Sequence, residues 1–167
     1  MKNRFCDLGI LYLCGRNEAF LRKTMDEMGL RFQELFTAAP HAFLRAEHPL
    51  AGRASVTLKD LQPYPRLNFL QGNYESADFS EEPFSTVFAE KEIRVSDRAA
   101  IVNLMIGLDG YTISTGIFPE YLQGRQIISV PLAEQETMHI GYVLCKEQGL
   151  SALGRIYVNA LKKYACR

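Results

Sequence analysis

Three consecutive residues, Ser96, Asp97 and Arg98, are the first candidates for chemistry because they stand where a helix is predicted to begin. The first N–H groups of a helix lack intrahelical partners, and the helix dipole is positive there, so an anion can bind. Ser96 can cap the helix or bind a ligand, Asp97 suits the dipole, and Arg98 adds a cation. The simpler alternative is a plain cap beside a solvated charge. The pattern predicts an anion site or an ordinary helix start.

The elements around this point predict a βαβ unit. Ile93 and Val95 are β-branched and favour a strand. Apolar residues then recur at three- and four-residue spacing, which is typical of one face of a helix. They are Ala100, Ile101, Leu104, Met105 and Leu108. After the turn dipeptide Asp109–Gly110, a period of two returns from Tyr111 onward. Strand, helix and strand in this order predict a parallel sheet with the helix start at its ligand edge.

Composition indicates a globular protein with balanced charge. The chain has 167 residues, 47% of them hydrophobic, with 19 basic and 19 acidic side chains. This length allows one domain or two small lobes with a real core. Without a basic patch, we expect the chain by itself not to hold DNA through phosphate contacts. Its apolar run near the N-terminus is too short to span a membrane and lacks a cleavage site, which favours the cytoplasm and no membrane partner.

The cysteine and histidine residues match no metal-site or catalytic motif, so we expect no metal or cofactor and assign no catalytic residue. The cysteines are Cys6, Cys14, Cys145 and Cys166, and the histidines are His41, His48 and His139. No C-x-x-C pair, zinc spacing or H-E-x-x-H motif occurs, so we expect reduced thiols.

The remaining periodicity predicts strands and helices over most of the chain. We expect strands at 7–13, 31–36, 42–47, 67–70, 126–131 and 138–145, and a helical turn capped by Ser55. Residues 71–84 are the most loop-like stretch. A helix is predicted from Asn17 to Met28, with its apolar face formed by Phe20, Leu21, Met25 and Met28. Ser151 should cap a last helix, and we expect its apolar stripe to enter the core. That stripe comprises Leu153, Ile156, Tyr157, Ala160, Leu161 and Tyr164.

Four segments resemble, in order and spacing, the effector-binding domain of LysR-type transcriptional regulators. They are CDLGIL at 6–11, HAFLRAEHPLAGRASVTLKDL at 41–61, VSDRAAIVNLMIGLDGYTISTGIFP at 95–119 and IGYVLCKEQGLSALGRIYVNAL at 140–161. The resemblance implies an α/β, two-lobed, periplasmic-binding-protein-like (type 2) fold with mixed sheets flanked by helices. Lobe I would comprise 1–42 and 140–167, and lobe II 43–139. The family's early β-α-β-α segment has no counterpart here, so the resemblance implies an incomplete first lobe.

The resemblance also implies a function, namely sensing of a small anionic metabolite between the lobes. Ser96, Asp97 and Arg98 would capture the effector. Ser114 and Thr115, with Thr112, would add hydrogen bonds, and Tyr12 and Gly15 would face the site from lobe I. The expected partners are the effector, a second copy in a homodimer or larger assembly, and DNA only through a domain outside this chain. Two alternatives stay open: an enzyme on the same fold, and a ligand-free dimerisation module.

Overall fold

The computed structural model describes residues 6–70, 79–80, 82–117 and 126–165. The strands in these ranges are β1 Gly9–Leu13, β2 Leu30–Ala38, β3 His41–Arg45, β4 Arg66–Phe69, β5 Glu92–Val95, β6 Thr112–Ser114, β7 Ile127–Pro131 and β8 Met138–Cys145. The helices are α1 Glu18–Glu27, α2 Leu58–Leu61, α3 Arg98–Leu108 and α4 Ala152–Ala165. The mixed α/β composition follows the predicted order of elements, and most of the predicted loop at 71–84 lies outside these ranges.

The chain divides into two compact units, residues 1–38 with 137–167 and residues 39–136. The first unit contains an antiparallel sheet in the order β1–β8–β2, flanked in sequence by α1 and α4. In the register of this sheet, Gly9 pairs with Val143 and Leu30 pairs with Cys145. Strand β8 lies in the middle of this sheet and is buried along most of its length.

Helix α1 buries a narrower face than predicted. Leu21 and Met25 are buried at i, i+4 spacing, whereas Phe20 and Met28 are largely exposed. Phe20 lies one position away from the buried row, and Met28 follows the last helical residue, so the prediction for these two side chains was wrong. Gly29 ends the helix with φ of 65°, as its position after the apolar pattern indicates.

Helix α4 also places a different face against its unit. Gly154 and Val158 are buried, but Leu153 is 76% exposed, Ile156 66% and Tyr157 48%. Val158 packs with Tyr142 and Leu144 of β8, so the helix turns its Gly154–Val158 side towards the sheet. This packing leaves Leu153, Ile156, Tyr157 and Ala160 exposed, so their assignment to the core was wrong, whereas Leu161 is half-buried. Ser151 caps the helix as predicted, because its hydroxyl accepts the Gly154 N–H at 3.0 Å.

The second unit contains an antiparallel sheet in the order β6–β3–β7 and a parallel pair, β4–β5. Tyr111 adds a parallel bridge to Arg66 on β4, so strand β5, helix α3 and Tyr111 form the predicted crossover. The rest of the second strand departs from the prediction, since Thr112–Ser114 pair antiparallel with β3. A period of two defines a strand but not its partner, and here a single extended segment reaches both sheets.

Sheet β6–β3–β7 has two apolar faces. On one face, Ala42, Leu44, Ile113 and Val130 belong to a buried cluster. On the other face, Phe43 and Ile127 pack with Leu67, Val95, Ile101 and Met105, the last two on α3. The alternation of side chains along β3 produces this division, because consecutive residues point to opposite faces.

Helix α2 begins two residues later than predicted. Thr57, not Ser55, is the cap, and it forms a reciprocal box with Asp60. The Thr57 hydroxyl accepts the Asp60 N–H at 3.1 Å, and the Asp60 carboxylate accepts the Thr57 N–H at 2.9 Å. The Thr57 hydroxyl also donates to the Asp60 carboxylate at 2.7 Å, and this bond, together with that from the Thr57 N–H, lowers the pKa of Asp60. Thr57 rather than Ser55 is the cap because Asp60, three positions after Thr57, completes the capping box.

Helices long and apolar enough to cross a membrane do not occur in the ranges given above. Over the same ranges, His, Cys, Asp and Glu side chains nowhere gather in a group of three that could hold a metal ion.

Candidate ligand-binding site

Helix α3 is capped by Asp97 rather than by Ser96. The Asp97 carboxylate accepts the N–H groups of Ala99 and Ala100 at 3.3 and 3.2 Å, and helical geometry begins at Arg98. Ser96 is exposed one residue before this cap, so the prediction that it caps the helix was wrong. The cap lies one residue later because Asp97 has the extended backbone of an N-cap and an acid that suits the helix dipole. A ligand anion at the helix start would have to compete with this carboxylate.

A cavity of about 370 Å³ lies beside α3, on the face of the sheet that carries Phe43. Its lining is mostly apolar, from Phe43, Ile101, Val102, Met105 and Ile127. Polar groups come from Glu82, Arg98, Thr112 and Ser114. The volume is in the range of small-molecule sites, and an apolar pocket with a few polar groups is their usual form. All of these residues belong to the 39–136 unit.

The local sequence explains which side chains reach the cavity. On β6, Thr112 and Ser114 are half-buried towards the cavity, while Ile113 between them enters the cluster on the opposite face. On α3, Arg98, Ile101, Val102 and Met105 follow the i, i+3, i+4, i+7 spacing of one helical face. The alternating strand and the helical stripe therefore supply two walls with different chemistry.

Among the described lining residues, Arg98 and Glu82 carry the ionisable side chains, and both contact Phe69. The Arg98 guanidinium carbon lies 4.6 Å from the centre of the Phe69 ring, in cation–π geometry. The Glu82 side chain is only 7% exposed, and its carboxylate accepts the backbone N–H of Phe69 at 3.2 Å. The described lining therefore combines one basic and one acidic side chain with its apolar residues.

The far end of α3 is tied to the turn at His48–Leu50. The His48 Nδ1 accepts the Leu50 N–H at 3.1 Å, so Nε2 carries the proton and donates to the Asp109 carbonyl at 3.2 Å. Burial lowers the pKa of His48, which keeps the ring neutral in this role. The Arg45 side chain also contacts the Asp109 carboxylate. The H-P-L-A turn therefore holds the helix that lines the cavity.

The structure brings together only part of the predicted site. Arg98 and Ser114 line the cavity, as does Thr112. Ser96 and Asp97 do not line it, and the Thr115 hydroxyl accepts the N–H of Ile117 at 3.3 Å within a local turn. Tyr12 is buried with Cys14, Met138 and Ile140 in the other unit, and Gly15 is exposed there. The role of these two residues remains a prediction.

Sequence reasoning missed several lining residues. The sequence indicates ordinary core positions at Phe43, Met105 and Ile127, and it places Glu82 in a polar loop. The available signal is α3 itself, which is apolar on more than one face, with Ile106 and Leu108 exposed beside the buried Ile101 and Met105. Such a helix has more apolar surface than one sheet covers.

A two-unit α/β chain with a cavity of this size has the architecture of a small-molecule-binding domain. A family model described as the LysR substrate binding domain matches residues 3–165, and the chain belongs to this family. Its members are effector-binding domains of transcriptional regulators, and the fold is the type 2 periplasmic-binding-protein-like fold, as the resemblance implied. Among curated proteins, no match was found.

Solved structures of the same family share the fold at low sequence identity. A LysR-family regulator from Pseudomonas aeruginosa is 19% identical with a TM-score of 0.60, over 96% of this chain and 54% of that chain. The effector-binding domain of QuiR in complex with shikimate is 18% identical with a TM-score of 0.60, over 98% and 72%. The CcmR regulatory domain of Synechocystis in complex with 2-PG is 14% identical with a TM-score of 0.61, over 98% and 75%. The present chain spans about half of the first of these.

Proposed function

We propose that this chain senses a small-molecule effector for a LysR-type transcriptional regulator. The observation that carries the proposal is the family match over residues 3–165, which includes every element of both units. In this proposal the effector is a small anionic metabolite bound between lobe I, residues 1–42 and 140–167, and lobe II, residues 43–139. Its binding would change transcription through a DNA-binding domain outside this chain.

The cavity beside α3 is the part of lobe II that we propose to contact the effector. Arg98 offers a cation at the start of α3, and Thr112 and Ser114 offer hydroxyl groups from β6. QuiR and CcmR, which share the fold, have been solved with small molecules bound. Tyr12 and Gly15 would contribute from lobe I. Sensing requires only capture of the ligand and a change in the population of two states, so no catalytic group is invoked.

The direct test is native mass spectrometry of the protein purified from cells. We expect a bound metabolite that is lost from a Val102→Phe variant, because the larger ring fills the cavity. Ile106→Phe is the matched control, since Ile106 lies one turn further along α3 and is exposed. Both variants should keep the wild-type circular dichroism spectrum. A metabolite retained equally by both variants would place the ligand elsewhere.

An enzymatic function has less support from the described part of the chain. The cavity lining given there contains no histidine, and the exposed Ser96 lies outside it. A hydrolase screen that compares the wild type with Ser96→Ala checks this point. We also propose that the isolated chain does not bind duplex DNA, given its zero formal charge. A gel shift with random duplexes at low salt should show no complex at micromolar concentration.

We further propose that the chain pairs with a second copy through the 1–38/137–167 unit. Strand β1 is at the edge of its sheet among the residues described, and the exposed Leu153, Ile156 and Tyr157 form an apolar groove with Leu8, just before β1. Two antiparallel β1 strands would be related by a two-fold axis, so the same surface can cover itself in a symmetric dimer. Such a dimer would bury both the strand edge and the apolar groove.

Sedimentation over a hundred-fold dilution tests this pairing. We expect a dimer that dissociates on dilution, and we expect Ile156→Glu to shift it to monomer because a charge would enter the apolar contact. Asn159→Glu is the matched control at an exposed polar position of α4. A wild-type monomer at every concentration would contradict the proposal.

A further inference from the structure

The cavity beside α3 joins a largely hydrocarbon wall to a small number of charges, and this combination restricts the molecules that fit. We infer that the effector is a compact, mainly hydrocarbon molecule with one negative charge, such as a cyclic or branched monocarboxylate. For the same reasons, we expect phosphorylated and polyhydroxylated compounds to bind more weakly to the described lining. This inference rests on the proposed function and adds the chemical class of the ligand.

The apolar wall of the cavity is the first reason for this ligand class. Phe43, Ile101, Val102, Met105 and Ile127 present no hydrogen-bonding group to a ligand. A ligand hydroxyl placed against these side chains would lose its hydrogen bonds to water without replacement, which is unfavourable. A hydrocarbon ring or branched chain gains free energy from the same contact. The body of the ligand should therefore be apolar.

The polar groups of the cavity lining are the second reason for this ligand class, because they can form hydrogen bonds with one charged head group. Arg98 is exposed at the start of α3, and its guanidinium is oriented by the Phe69 ring at 4.6 Å. A guanidinium matches the geometry of a carboxylate, which can accept two parallel hydrogen bonds. Thr112 and Ser114 supply hydroxyl groups from the adjacent strand. A single carboxylate can use this set of donors.

Glu82 is the third reason, because it limits the charge of the ligand. Its carboxylate is 7% exposed and lines the same cavity as Arg98. A ligand carboxylate adds a second carboxylate to this cavity, and a phosphate dianion would add a further negative charge. Repulsion between like charges is strong where water is scarce, so a dianion should bind more weakly than a monoanion.

A matched set of probes tests this class directly. Shikimate differs from cyclohex-1-ene-1-carboxylate only by its three hydroxyl groups, so the pair isolates the effect of the apolar wall. Benzoate and phenyl phosphate compare one negative charge with two, and cyclohex-1-ene-1-carboxamide removes the charge. Each probe is titrated into the protein while NMR follows the Ile101, Val102 and Met105 methyl groups. We expect cyclohexenecarboxylate to bind at least about tenfold more tightly than shikimate or the carboxamide, and benzoate more tightly than phenyl phosphate.

Two variants assign the effect to the charges. Arg98→Gln should remove the preference for the carboxylate over the carboxamide, and Glu82→Gln should improve phenyl phosphate relative to benzoate. Because Arg98 is exposed, its replacement should not disturb folding, and the unfolding temperature verifies this. Shikimate or phenyl phosphate binding as tightly as the hydrocarbon acids would overturn the ligand class and leave the sensing function in place. If no probe shifts the cavity methyl groups, both the ligand class and the role of this cavity are overturned.

Discussion

The two faces of sheet β6–β3–β7 differ in how completely they are filled, although the same strands form both. On one face, Ala42 and Leu44 are fully buried and Ile113 and Val130 nearly so, within one continuous cluster. On the other face, Phe43 packs partly against α3 and partly against a cavity of about 370 Å³. Close-packed interiors rarely keep space of this size, because unfilled volume forfeits contacts. The comparison teaches that the packed face maintains the sheet, whereas the other face leaves space for the ligand that we propose.

The largest expected effect is a truncation on the packed face. Leu44→Ala should lower the free energy of unfolding by about 2–5 kcal/mol, because it removes buried methyl groups and leaves a cavity. Val102→Ala on the cavity face should cost less, since Val102 already borders empty space and loses fewer contacts. Urea unfolding of both variants measures the difference. Equal losses would show that the two faces are packed alike.

A smaller effect is expected where β6 ends, at Gly116. Its φ of 73° is unfavourable for other residues, and a Cβ there would lie 2.5 Å from Nδ1 of His41. Gly116→Ala should therefore cost roughly 1–3 kcal/mol and displace the start of β3. Gly107→Ala on α3 is the control, because a Cβ there meets no atom within 4 Å. It should raise stability by roughly 0.5–1 kcal/mol through helix propensity. A neutral Gly116→Ala would mean that the His41 ring moves without cost.

The smallest expected effect is a pH dependence of the free energy of unfolding, which arises from His48 beside the packed face of the sheet. The His48 ring lies 4.3 Å from that of Tyr64, which packs against the Leu44 cluster. Burial lowers the pKa of His48 below its ordinary value of 6.5, so the unfolded chain binds a proton more readily than the folded one. The contribution of His48 to the free energy of unfolding should be fully present above pH 6.5. It should decrease as the pH falls through and below this value, by at most ~1.4 kcal/mol per pH unit.

Urea unfolding between pH 7.5 and 5.5 measures this dependence. His48→Gln should flatten it, because the variant has no imidazole to take up the proton in the unfolded chain. A slope unchanged in His48→Gln would assign the effect to other groups.

The sequence by itself predicted the fold class, the family and most of the elements. Alternation identified β8, and the helix stop at Gly29 and the Ser151 cap were placed correctly. Local signals of this kind depend on neighbouring residues, so they can be read directly from the chain. The same signals did not distinguish between two neighbouring candidate caps, Ser96 and Asp97, because the residue that caps the helix depends on the backbone geometry.

Only the tertiary structure decided which apolar surfaces are covered. Periodicity shows that α4 has an apolar stripe, but the helix packs against β8 through Val158, which leaves Leu153 and Ile156 exposed. Likewise, Phe43 and Met105 read as core residues, and their position beside a cavity follows from the spacing between α3 and the sheet. Hydrophobicity specifies that a side chain favours leaving water, whereas the partner that covers it is set by contacts between residues distant in sequence.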